Sequence, residues 1–215
     1  MRVLSPPASP LVGRKAETEQ ALGALRRTRL LTLTGPPGVG KSRLALFLAW
    51  RVLPSHPGGA IWVDVSKVPP PDLGSKEPKH SILVLDNCEH AVVDCANFAA
   101  HLVHTWPNVT VLVTSRQALG LVAEQTLSLP PLSLPDDDSP AAVKISDAVQ
   151  LFCERAVVVQ PEFSIDVHAP EVVAICRRLD GIPLAIELAA ARLDVLSPGQ
   201  ILDRLHDEEL DFLVG

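Results

Sequence analysis

The sequence predicts an α/β fold: a doubly wound parallel sheet of about five strands followed by a small all-helical domain. Three observations carry this. Short apolar runs of strand length alternate with helical-period segments up to about residue 130, a glycine-rich loop separates the first strong run from the first strong helix, and beyond a Pro/Asp-rich stretch the period is helical only. The organisation expected is an α/β domain over residues 1–130, a linker over 131–145 and a helical domain over 146–215.

In chain order, "AETEQALGALRRTR" (16–29) places Ala21, Leu22 and Leu25 at helical spacing and predicts a short amphipathic helix, with Arg26, Arg27 and Arg29 as its solvated end. "LLTLTG" reads as a buried strand entering a glycine turn, and "KSRLALFLAWRVL" as a helix with one apolar face. "AIWVDVS" (60–66), "SILVLD" (81–86) and "VTVLVTS" (109–115) are further strands of the kind buried on both faces. "HAVVDCANFAAHLVHTW" is a helix between the last two, and "EQTLSL" (124–129) a fifth strand. "PPLSLPDDDSP" (130–140) holds four prolines and three consecutive aspartates and cannot continue either regular structure. Four helical segments follow: "SDAVQLFCERAVVVQ" with a Ser or Asp cap, "APEVVAICRRLDG" closing on glycine, "PLAIELAAARLDVL" with proline in its first turn, and "SPGQILDRLHDEEL".

Composition narrows the function classes. At 215 residues and 47% apolar the chain suits one large domain or one plus a smaller one. A formal charge of -6 argues against direct nucleic-acid binding, which needs a basic face. Cys88, Cys95, Cys153 and Cys176 include no C-x-x-C pair and fit a reducing compartment; Cys88, His90, His101 and His104 lack a recognised metal-ligand spacing. The proline-containing start "MRVLSPPASP" matches neither a secretory signal nor a transit helix, and no apolar stretch reaches the ~20 residues of a membrane span, so a soluble, cytoplasmic chain with no membrane partner is expected.

"GPPGVGKS" (35–42) satisfies G-x-x-x-x-G-K-[ST] between a predicted strand and a predicted helix, the context that makes the pattern a phosphate-binding loop, or Walker A motif. Gly35, Gly38 and Gly40, with Pro36, Pro37 and Val39 between them, let backbone N–H groups point at phosphate oxygens; the helix beginning near Lys41 adds its positive dipole end. Lys41 supplies a full charge for the β and γ phosphates, Ser42 an oxygen for Mg²⁺, and Arg43 follows on the helix. Asp86 ends the "SILVLD" strand at the carboxyl edge, within reach of the cation held by Ser42. Asn87 stands where many phosphate-handling proteins place a second acid; it can orient water but cannot accept a proton, which leaves Glu89 and His90 as candidate bases, Glu89 serving equally well as a helix-dipole partner. Arg116, closing "TSR" on the same edge, matches a γ-phosphate in forked geometry.

"LVGR" (11–14), the Walker A loop, "LVLDNCEH" (83–90), "TSR" (114–116) and "GIPLAIELAAAR" (181–192), in this order, resemble the STAND or NB-ARC class of signalling ATPases, in particular bacterial regulators that join the ATPase module to a DNA-binding domain. The resemblance covers most of residues 11–207. It implies ATP or ADP with Mg²⁺ as cofactors, slow hydrolysis that times a signalling switch, and protein partners or self-association. It further implies that Val12, Gly13 and Arg14, with Gly181, Ile182 and Pro183, close on the adenine. Residues 67–80 depart from the pattern: Pro69, Pro70, Pro71 and Pro78 exclude a crossover helix, so the connection is expected to cross as coil or to place its strand unusually. A winged-helix domain of the kind that senses ADP in this class is not expected after the helical one, and Lys15 stands where the resemblance implies an acid, with Glu17 nearby. The alternative function is a non-hydrolysing ADP-binding interaction module; a small-molecule kinase would need an acceptor pocket and lid, for which Pro69, Pro70 and Pro71 leave little.

Overall fold

The computed structural model describes residues 11–69 and 80–206. The chain divides into two compact units, residues 1–129 and 130–215. In the first, β1 (Leu30–Thr34), β2 (Ala60–Asp64), β3 (Ser81–Asp86), β4 (Val109–Ser115) and β5 (Gln125–Ser128) form one sheet in the order β2-β3-β4-β1-β5. Every pairing is parallel. All five carboxyl ends therefore lie on one edge, and the register brings Thr34 level with Ser115 and Ser128, and Asp64 level with Asp86.

Alternation along the strands builds two cores. Leu31, Leu33, Ile82, Val84 and Leu112 face one side, against Ala21 and Ala24 of α1 (Lys15–Leu25) and Leu44, Ala45, Leu48 and Ala49 of α2 (Lys41–Val52). Leu30, Leu83, Leu85, Val111 and Val113 face the other, against Cys95, Ala99 and Leu102 of α3 (Val92–Thr105). Burial on both faces explains why the strands read as continuous apolar runs. Each of the larger side chains so buried contributes roughly 1.5–3 kcal/mol relative to exposure.

One expectation in this unit is corrected, and for the proline-rich connection one of two alternatives, an unusually placed strand, is set aside. α1 ends at Leu25, not at residue 29; Arg26 and Arg27 are exposed just beyond it, and Arg29 donates to the Trp106 carbonyl at 3.1 Å, fastening the turn after α3. The edge next to the proline-rich connection is regular: β2 pairs in register with β3 from Ala60↔Ile82 to Asp64↔Asp86. Its side chains anchor it whatever the connection does, Val63 in one core and Ala60 in the other. Residues 70–79 lie outside the described residues.

The second unit holds α4 (Pro140–Ile145), α5 (Asp147–Val159), α6 (Ile165–Arg178), α7 (Pro183–Ala191) and α8 (Pro198–His206). The linker expected over 131–145 is corrected at its end, because Pro140 occupies the first turn of α4, where no intrahelical N–H is required, and Ser139 caps it by accepting from Ala142 N–H. The irregular part is fastened to its own unit. Leu132 N–H donates to Gly181 O at 2.9 Å, Ser133 Oγ donates to Asp147 at 2.8 Å, and Arg177 binds both Pro135 O and Asp138. α6 starts four residues before the expected Ala169, with a break at His168 ahead of Pro170; the His168 ring stacks on Phe163 with centroids 5.6 Å apart.

Candidate functional site

At the carboxyl edge of the sheet the strand order decides what can meet. β4 lies between β1 and β3, so the "TSR" end falls between the glycine loop and Asp86. The loop leaves β1 through Gly35, Gly38 and Gly40, all at positive φ (146°, 75° and 95°), and Gly40 is the N-cap of α2. A Cβ on Gly35 would stand 2.7 Å from the Leu129 carbonyl, so the loop is pressed against the end of the β5 segment as it turns. Pro36 and Pro37 are exposed at the tip, while Val39 is fully buried and holds the loop to the core from within.

Lys41 folds back over this loop, its Nζ donating to Gly35 O and Pro36 O, both at 2.9 Å. It is 7% exposed, and that burial lowers its pKa, opposed by the nearby Glu89 carboxylate. Arg43 follows on α2, half-buried.

Asp86 is also buried, and desolvation raises its pKa against hydrogen bonds from Ser42 and Thr114. Thr114 Oγ1 donates to Asp86 Oδ1 at 2.5 Å and accepts Asn87 N–H at 3.0 Å. Asn87 has a left-handed backbone (φ 63°), and its Nδ2 donates to Asp64 Oδ1 at 3.0 Å and, at 3.5 Å, to Asp86 Oδ2. Asp64 also accepts from Ser66 at 2.6 Å and pairs with Lys67 at 2.7 Å; the Lys67 contact, then those of Ser66 and Asn87, hold its carboxyl far below the usual range. The amide of Asn87 thus joins two acids.

Glu89 sits on a one-turn 3-10 helix, Cys88–His90. Its Oε1 lies 3.5 Å from Arg116 Nε, and its Oε2 is buried without a hydrogen-bond partner among the described residues. Arg116 itself is 59% exposed at the side chain, so it is held at one end and open at the other. His90, the other candidate base, is exposed.

Of the opening motif, Val12 and Gly13 (φ 65°) form a turn before α1, and Arg14 is buried. Arg14 donates from Nη2 to Val39 O at 3.0 Å and from Nη1 to Glu17 at 2.8 Å, so it grips the phosphate-loop backbone directly. Lys15 is exposed. In the helical unit, Asp180 and Gly181 turn the chain at positive φ, and Ile182 precedes Pro183, the first residue of α7. The steric demand at Gly181 is local: a Cβ there would stand 2.5 Å from the Leu132 carbonyl.

Sequence reasoning missed Asp64 and the role of Thr114. The signal for the first was present, since "AIWVD" ends in an acid at the same edge as "SILVLD". The cation expected at Ser42 and Asp86 suits the donors available, which are all oxygen, as a hard divalent ion requires. No three His, Cys, Asp or Glu side chains form a metal-holding group among the described residues. No helix among the described residues is long and apolar enough to cross a membrane.

No protein-family model matches the chain. It is 39% identical over 221 residues to an uncharacterized protein of Mycobacterium tuberculosis, covering 91% of this chain and 54% of that protein. It is 38% identical over 206 residues to a second protein of that organism, provisionally named as an HTH-type transcriptional regulator, covering 85% of this chain and 22% of the relative. The chain thus spans about half, or about a fifth, of the curated relatives it matches. Among solved structures it resembles a Walker-type ATPase of Pyrococcus abyssi (TM-score 0.63, 15% identity, 95% of this chain and 75% of that one). A STAND protein with a tetratricopeptide-repeat sensor from Pyrococcus horikoshii gives a TM-score of 0.53 at 15% identity, over 97% of this chain and 34% of that one. NtrX of Brucella abortus in complex with ADP gives 0.54 at 15% identity, over 86% and 51%. With its parallel sheet and glycine loop between β1 and α2, the chain has the fold of P-loop NTPases.

Proposed function

We propose that this chain is an ATP/ADP-binding regulatory module of STAND type, a nucleotide switch reset by slow hydrolysis, and part of or derived from a transcriptional regulator. The observation that carries it is the convergence of Lys41, Asp86, Glu89 and Arg116 on one sheet edge, with Glu89 Oε2 buried and without a hydrogen-bond partner among the described residues. The name of the mycobacterial relative supports the regulatory part.

In this reading the loop N–H groups and the first turn of α2 hold the phosphate chain, and Lys41 exchanges its two loop carbonyls for β- and γ-phosphate oxygens. Ser42 and Asp86 hold Mg²⁺, which supplies neutralisation of phosphate charge when bound. Arg116 pairs with the γ-phosphate through its open face. Glu89 takes a proton from the attacking water as the bond between the γ-phosphorus and the bridging oxygen breaks; ADP leaves with that electron pair, stabilised by Lys41. Asn87, tied to two acids through Nδ2, orients Asp86 and keeps its amide oxygen for water. Val12, Gly13 and Arg14 serve the adenine end from the α/β unit, and protein partners or a second copy read the outcome.

Single-turnover hydrolysis tests this. Lys41→Ala is expected to abolish magnesium-dependent ATP uptake. Glu89→Gln is expected to keep uptake and lose about 10²–10⁴ in rate. Wild-type protein that takes up no adenine nucleotide refutes the function; a Glu89→Gln variant that turns over at the wild-type rate refutes the base. Uptake without turnover in wild type identifies the non-hydrolysing alternative.

A further inference from the structure

We propose that Thr114 is a positioning residue for the divalent cation, its hydroxyl fixing the carboxylate of Asp86 in the orientation that presents it beside Ser42; the inference rests on the nucleotide reading above. Thr114 is fully buried at the end of β4, in the strand between the glycine loop and Asp86. A hydroxyl has one proton to give. Here the neighbouring Asn87 N–H, 3.0 Å away, donates to Oγ1, so the proton is directed elsewhere, and Asp86 Oδ1 at 2.5 Å receives it. The left-handed backbone of Asn87 turns that N–H toward Thr114. The same residue's amide reaches Asp86 Oδ2 from the other side, at the longer distance of 3.5 Å. Both carboxylate oxygens are therefore held from outside the glycine loop, the first by the stronger bond, and the carboxylate need not search rotamers when a cation arrives. Charge-assisted bonds of this length are the strong ones, and a ligand held in its productive geometry binds more tightly than one ordered on binding.

The test is calorimetric titration of the full chain with ADP and with ATP, in Mg²⁺ and in EDTA, for wild type, Thr114→Val and Thr114→Ser. The Thr114 hydroxyl bonds Asp86 and Asn87 and, among the described residues, no group of the glycine loop, so nucleotide affinity in EDTA is expected to stay within about threefold for both variants. The gain in affinity on adding Mg²⁺ is expected to fall about tenfold or more in Thr114→Val. Thr114→Ser should recover it to within about threefold, which a role in packing alone would not produce. Thr114→Ala carries the same expectation should the valine variant not fold. Asn87→Gly, which keeps the N–H aimed at Thr114, is expected to lose less than Thr114→Val. An unchanged Mg²⁺ gain in Thr114→Val and Thr114→Ala, a serine variant as poor as valine, or a larger loss in Asn87→Gly would each overturn the proposal. Wild-type protein that binds no nucleotide would overturn the underlying reading instead, and this inference with it.

Discussion

Gly35→Ala probes the junction on which the phosphate loop is built. Gly35 lies at φ 146°, a region open to glycine and closed to other residues, and the added Cβ would meet the Leu129 carbonyl at 2.7 Å and Val39 Cγ1 at 3.2 Å. The backbone conformation alone costs about 1–3 kcal/mol. Relieving the clash moves Leu129, whose N–H donates to Thr34 O at 2.8 Å, and weakening that bond adds about 1 kcal/mol. The sum, about 2–4 kcal/mol, corresponds to a fall of roughly 5–15 °C in melting temperature for a chain of this size. Differential scanning calorimetry of the nucleotide-free protein is the assay, and the loss should fall on the transition of the α/β unit. Gly23→Ala is the control: it sits within α1, its Cβ would meet only the flexible tip of Arg27 at 3.6 Å, and it should gain up to about 1 kcal/mol. A Gly35→Ala protein melting within about 2 °C of wild type would refute the reasoning, because neither the backbone strain nor the carbonyl contact could then be real.

Asp86→Asn should raise the melting temperature of the nucleotide-free protein at neutral pH, since it removes a carboxylate whose pKa burial has raised, and should abolish the further rise produced by Mg-ATP; thermal melting with and without Mg-ATP reads both. Asp64 has the opposite sign. Its pKa is depressed by Lys67, Ser66 and Asn87, so the stabilisation is present above the unfolded value of about 3.9 and is lost as pH falls toward the folded one. Asp64→Asn should therefore lower stability at pH 6 and flatten the acid limb of a pH-stability curve measured by urea unfolding.

Much of the first unit was legible because its signals are local. A strand buried on both faces has to be an apolar run, and "LLTLT", "SILVLD" and "VTVLVTS" are such runs. The boundaries that moved did so for tertiary reasons. Periodicity carried α1 past Leu25, where Arg29 instead turns to the Trp106 carbonyl. Prolines at 130–140 read as a break, yet Pro140 begins a helix because Ser139 caps it.

By itself the sequence determined the glycine loop, its lysine and serine, the acid closing a core strand, and an arginine closing another, because each is a residue type fixed to a strand end by local pattern. Only the tertiary structure decided their meeting. Strand order is set by which runs pair across long separations, and no residue spacing encodes that β4 lies between β1 and β3. The same long-range pairing brought Asp64 level with Asp86, joined them through Asn87 and placed the Thr114 hydroxyl against Asp86. Hydrogen bonds between residues more than twenty positions apart in the chain exist only once the sheet has brought them together.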